Sequence, residues 1–226
     1  INPHLLIECY RSLAADRDHI TYDYGENLDS FVGLNLDYIE SKVLEINPKQ
    51  TTPFESPEKL GGGTAYMAVK DEDGNAVSLI QSNFHGIGST IGVSDYGFFL
   101  HNRGAGFNLI ENHPNKISPL RKPLHTLSPT IWSKDGKLDM VIGTRGGRYQ
   151  PQLLSQFILP LLLQTSSLDD AMKQSRWTID YFDENTESKL IYEPGTDEKV
   201  INELKEKGHK ITIKDSLQSS FGPISA

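Results

Sequence analysis

Leu5, Leu6, Cys9, Tyr10 and Leu13 recur at helical spacing within residues 3–16. Asn2 stands before them as an N-cap and Pro3 sits in the first turn, so the chain is predicted to open on a helix. Tyr38, Ile39, Val43 and Leu44 predict a second, shorter helix over residues 37–45. From Asn47 to Lys59 the chain turns to Pro, Thr, Ser, Lys and Glu with little to bury, the pattern of a mobile surface linker. The period then changes to two. Thr64–Lys70 and Ala76–Ser82 flank Asp71-Glu72-Asp73-Gly74-Asn75, and Thr130–Ser133 and Leu138–Gly143 flank Lys134-Asp135-Gly136-Lys137, which predicts two β-hairpins. The run Gly97–Leu100 reads as a short strand inside a loop-rich stretch. Leu153, Leu154, Phe157, Ile158, Leu161 and Leu162 form one helical stripe within Gln150–Gln164, which Pro160 should kink or end early. Helices at Leu168–Gln174 and Asp197–Lys207 and strands at Lys189–Tyr192 and Lys210–Ile213 complete the pattern. Hairpins backed by helices predict a layered α+β fold.

The 226 residues suffice for one large domain or two small ones with a substantial core. There are 22 basic and 30 acidic residues, a formal net charge of −8. That balance argues against a nucleic-acid surface or a membrane-binding face. The apolar run Phe157–Leu163 is too short to cross a bilayer. Cys9 is the only cysteine, which excludes an internal disulfide and a thiolate metal cluster. The start at Ile1-Asn2-Pro3-His4 and the end at Ser225-Ala226 suggest a piece of a longer product, so the compartment stays open.

The chemistry gathers around Gly61-Gly62-Gly63-Thr64-Ala65-Tyr66. Three glycines clear the backbone ahead of a threonine that would head a strand. A threonine whose base is its own freed amine is an activated nucleophile. On these residues alone, a flexible linker meeting a strand is the default. Gly86-Ile87-Gly88-Ser89-Thr90-Ile91-Gly92 has the wrong spacing for a dinucleotide fingerprint and reads instead as a loop closing over the nucleophile. No cofactor motif is present. The seven histidines show no close pairing in sequence, so no metal site is expected. A serine nucleophile at Ser128 with His125 as base lacks any nucleophile-elbow sequence, and Arg121-Lys122 reads as a solvated charge pair.

Read together, the glycine–threonine start, DEDGNAVSLIQS (71–82), GFFLHNRGAGF (97–107), RKPLHTLSPT (121–130) and IGTRGGRYQPQ (142–152) resemble, in order and spacing, the small subunit of the γ-glutamyltransferase family, whose relatives include cephalosporin acylases. HLLIECYRSLAADR (4–17) resembles a helix near the end of that family's large subunit. The resemblance implies an N-terminal-nucleophile hydrolase of four-layer αββα architecture, of which this chain supplies a part. Residues 1–63 would be the end of the large-subunit region and 64–226 the small subunit. It implies self-cleavage between Gly63 and Thr64, Thr64 as nucleophile, and the N–H groups of Gly146 and Gly147 as donors to the oxyanion. Ser82 would hydrogen-bond the freed amine, with Asn83 beside it facing substrate, and Thr126 would help place a substrate carboxylate. The expected partners are a small-molecule amide and the large-subunit polypeptide.

Several positions depart from that pattern. Ala65 and Tyr66 replace a threonine and a histidine, and His125 replaces a serine. Arg103 and Gly106 stand where a glutamine or glutamate and an aspartate would grip an α-amine. A guanidinium repels an ammonium group and suits a carboxylate. A glutaryl or other dicarboxylic acyl amide is therefore expected to fit at least as well as a γ-glutamyl one. The competing expectation is an uncleaved, non-catalytic scaffold that needs the rest of the large subunit.

Overall fold

A computed structural model describes residues 1–25, 31–54, 63–180 and 189–226. The elements run α1 (Pro3–Ile20), α2 (Leu36–Glu45), β1 (Gly63–Lys70), β2 (Ala76–Phe84), β3 (Gly92–Val93), β4 (Phe98–Phe99), β5 (Thr130–Lys134) and β6 (Lys137–Thr144). They continue with α3 (Gln150–Leu162), α4 (Leu168–Lys173), β7 (Trp177–Asp180), β8 (Lys189–Tyr192), α5 (Glu198–Glu206), β9 (Lys210–Ile213) and β10 (Ile224–Ser225). The expected mixture of hairpins and helices is present. Gly61, Gly62 and residues 55–59 of the expected linker lie outside the described residues.

The chain divides into two compact units. The first holds residues 1–59, 104–125 and 179–213. Here α1 begins as its sequence dictates: the Asn2 side chain accepts from the backbone N–H of His4 at 3.0 Å, and Pro3 takes the first turn. β8 and β9 pair in parallel, as a strand–helix–strand connection through α5 requires. The buried apolar side chains of this unit include Ile7, Ala14, Leu124, Ile179, Leu190, Ile201 and Leu204. Beside them lies a buried polar cluster. His4 Nε2 sits 2.8 Å from the carbonyl oxygen of Asn47 and must donate to it, so Nδ1 accepts, at 2.8 Å, from Nε2 of His209. Glu8 accepts from Arg11 at 2.6 Å and from the Thr52 N–H at 2.7 Å. His4, Glu8 and His209 thus meet across more than 200 positions of sequence, which spacing along the chain gave no reason to expect. Their facing atoms are already engaged in hydrogen bonds, and the Arg11 cation lies against Glu8, so the donor set does not favour a metal cation.

The second unit holds residues 60–103, 126–178 and 214–226. β1 and β2 pair antiparallel from Lys70↔Ala76 to Thr64↔Ser82. The turn between them is closed by Asp71, whose carboxylate accepts from both the backbone and the side-chain amide of Asn75 at 2.8 and 2.7 Å. In the β5–β6 hairpin Asp135 and Gly136 both take positive φ, 51° and 74°, as a two-residue turn demands. β10 adds to the far side of β6, Ile224 facing Thr144 and Ser225 facing Gly143. The core packs α3 and α4 on this sheet through Ile142, Leu154, Phe157, Ile158 and Ala171. Pro160 lies inside α3, which stops two residues later at Leu162. Across the hairpin, Met67 and Leu79 are neighbours that remain 52% and 45% exposed, and Val69 and Val77 form a second exposed pair.

Candidate active site

The head of β1 is irregular. Thr64 faces Ser82, yet the next pair is Gly63 with Phe84, so Asn83 is an extra residue on β2. Such a bulge bends one strand and re-aims the side chains beside it. Phe84 is correspondingly forced to a φ of 79° while fully buried, a strained conformation for a residue with a Cβ. Nothing in the alternating pattern of Ala76–Ser82 foretold this.

The bulge sets Ser82 against Gly63. The Ser82 hydroxyl donates to the Gly63 carbonyl oxygen at 2.8 Å and accepts from the Phe84 N–H at 3.0 Å. The second bond occupies one lone pair of Ser82 Oγ, while its proton goes to Gly63. Thr64 is half-buried, and among the described residues no hydrogen bond engages its hydroxyl. A Cβ on Gly63 would fall 2.7 Å from the carbonyl oxygen of Gly86, so the glycine is required by the loop lying on it.

That loop is stitched down by Asn102, which the sequence reading passed over although it adjoins Arg103. Its carbonyl oxygen accepts from the His85 N–H at 2.9 Å, its amide donates to Gly88 O at 3.1 Å, and its backbone N–H donates to Asn83 O at 3.1 Å. Asn83 turns its own amide toward Ile87 O at 3.3 Å.

Arg103 follows directly. It is 5% exposed, its Nη2 donates to the Ser82 carbonyl oxygen at 3.3 Å, and its guanidinium carbon lies 5.4 Å from the centre of the Phe84 ring. Nη1 is buried without a hydrogen-bond partner, and among the described residues no carboxylate pairs with it. Burial pulls the guanidinium below the usual arginine range.

The remaining expected site residues are more scattered. Gly146 and Gly147 form the turn between β6 and α3, with φ of 127° and 56° that favour glycine. A Cβ on Gly146 would lie 3.0 Å from the Phe221 carbonyl oxygen. Among the described residues no hydrogen bond joins this pair to Gly63 or Thr64. Ala65 is exposed, whereas the Tyr66 ring fills the space that a Cβ on Gly143 would take, its hydroxyl 2.9 Å from that of Ser78. Thr126 is half-buried in the segment before β5, and Gly106 accepts from the Asn115 amide at 2.6 Å. His125 is exposed and falls in the first unit.

These hairpins backed by helices form the α+β fold of the N-terminal-nucleophile hydrolases. The chain belongs to the gamma-glutamyltranspeptidase family, whose model matches residues 2–226. Among its relatives is the glutathione hydrolase-like YwrD proenzyme of Bacillus subtilis, 32% identical over 99% of this chain and 42% of the relative. The oxamate amidohydrolase proenzyme of Klebsiella pneumoniae is 30% identical over 97% of this chain and 42% of the relative. The cephalosporin acylase of Bacillus halodurans superposes with a TM-score of 0.79 at 27% identity, covering 98% of this chain and 39% of that one. The chain therefore spans about two fifths of the length of the curated relatives it matches most fully. No described helix is long and apolar enough to cross a membrane.

Proposed function

We propose that this chain carries the catalytic half of an amidohydrolase or acyltransferase that activates itself by cutting between Gly63 and Thr64. The observation that carries this reading is the Ser82 hydroxyl aimed at the Gly63 carbonyl oxygen. Attack by Thr64 Oγ on the Gly63 carbonyl carbon would put negative charge on that oxygen, where a placed donor acts most strongly. The C–N bond then breaks, the hydroxyl proton ends on the new amine, and Gly63 is left as an ester on Thr64 Oγ. Water releases it as a carboxylate.

Cleavage removes the Gly63 oxygen from Ser82 and leaves a free α-amine on Thr64, opposite Ser82 in the ladder. An α-amine of ordinary pKa about 7.7–8 serves as a general base near neutral pH. Thr64 Oγ would attack the substrate amide, Gly146 and Gly147 would donate N–H groups to the oxyanion, and the amine would depart with a proton. The acyl group then passes to water or to an amine acceptor. Relatives named as a glutathione hydrolase and an oxamate amidohydrolase take substrates whose acyl parts each carry a carboxylate. The substrate proposed for this chain is accordingly a γ-glutamyl or other dicarboxylic acyl amide. The apolar face at Met67, Leu79, Val69 and Val77 calls for cover, and the proposed cover is the large-subunit polypeptide that the longer relatives possess.

Mass spectrometry of the purified protein tests the reading. The expected result is two pieces, one beginning at Thr64, with Thr64→Ala giving a single intact, inactive chain. A Thr64→Ala protein that still splits at 63/64 would sink it, and an intact wild-type chain would favour the scaffold reading.

A further inference from the structure

We infer that Arg103 is the specificity-determining residue of the acyl site, and that it selects short dicarboxylic acyl groups bearing a free carboxylate and no α-amine. The inference rests on the Thr64 reading and adds the identity of the acyl group. Two anchors fix the guanidinium plane: Nη2 on the Ser82 carbonyl oxygen at 3.3 Å and the Phe84 ring at 5.4 Å. What remains is Nη1, buried and unpartnered.

A buried cation with no counter-ion is expensive, and proteins otherwise pair such charges. Here the missing anion would arrive with the substrate. Its position relative to the chemistry is set by a single residue, because Ser82 contacts the Gly63 carbonyl through Oγ and Arg103 through its own carbonyl. The reacting carbonyl and the carboxylate grip thus lie on either side of one serine. In that arrangement a short acyl chain would have its amide carbonyl at Thr64 and its terminal carboxylate at Nη1. A γ-glutamyl group carries its carboxylate on the same carbon as an ammonium, and the ammonium would be brought against the guanidinium. Like charges at such a distance repel strongly where water is excluded.

The test uses the self-cleaved protein expressed from its complete reading frame and three anilides: glutaryl, γ-glutamyl and butyryl. The expected result is a kcat/KM for glutaryl at least about tenfold above both others, as a charge-assisted hydrogen bond implies. Arg103→Met should remove that preference through KM, reducing glutaryl to the level of butyryl, and Arg103→Lys should restore part of it. Thermal unfolding of both variants checks that they fold. Should the Met variant fail to fold, the ratio in the Lys variant decides. A cleaved enzyme that prefers γ-glutamyl, or an Arg103→Met variant that slows all three substrates equally, overturns the inference and leaves Thr64 untouched. A chain that never splits at 63/64 removes both.

Discussion

Among the described residues two arginines are buried, and each lies over a phenylalanine ring. Arg11 is 8% exposed, 5.5 Å from the centre of the Phe54 ring, and pairs at 2.6 Å with the fully buried Glu8. Arg103 is 5% exposed and lies over Phe84, with one backbone carbonyl and, among the described residues, no carboxylate. Around Arg11 the charge is cancelled within the fold, although its Nε finds no partner. Around Arg103 the charge is left open. The difference teaches how to tell structure from function in a buried polar cluster. A cation whose partner comes from the same fold holds that fold together, whereas under the proposed reading Arg103 keeps a place for a substrate carboxylate.

Four measurements break or sharpen this contrast. The largest effect belongs to Arg11→Met, which strands the Glu8 carboxylate in the interior. Chemical denaturation should show a loss of ~3–5 kcal/mol, and an unchanged midpoint would end the view that Arg11 is structural. Ser82→Ala removes the hydroxyl facing Gly63 and keeps the carbonyl facing Arg103. Self-cleavage, timed by gel, should slow about 10²–10³-fold, and cleavage at wild-type rate would deny Ser82 its part.

Next comes the pH dependence of the Arg11 neighbourhood. Burial, then the nearby His4, Arg11 and Lys207, push His209 down to about 3. The unfolded chain takes up a proton near the ordinary histidine value of about 6.5 that the folded chain refuses, so stability falls as pH drops below that value. The slope is at most about 1.4 kcal/mol per pH unit, and His209→Gln should flatten it between roughly pH 6.5 and 4. Equal slopes in both proteins would argue against a buried neutral His209. The smallest effect is a gain. Arg103→Met exchanges an uncompensated charge for a similar apolar volume, and the melting point should rise by an amount equivalent to ~1 kcal/mol while selectivity is lost. A fall would make Arg103 a structural residue like Arg11.

Much of this was legible in the chain. The period of the apolar residues located α1, α2, both hairpins and α3 to within a few residues, because each buries one face of a regular element. Glycine and threonine identities located the head of β1. The bulge at Asn83 was hidden, since a single added residue at a strand end breaks no pattern long enough to detect. β10 was hidden for the same reason, being two residues long. The burial of Arg103 and the meeting of His4 with His209 are products of tertiary packing, and no local signal encodes them.

Ser82 touches the Gly63 carbonyl oxygen, the strained Phe84 backbone and the Arg103 guanidinium. Under the proposed mechanism this joins maturation to recognition. A chain whose bulge is misformed would misplace the carboxylate grip and also lose the hydroxyl that helps it cut itself. Activation then works as an inspection step: the enzyme is switched on only after the same few ångströms of structure that will read its substrate have been assembled correctly.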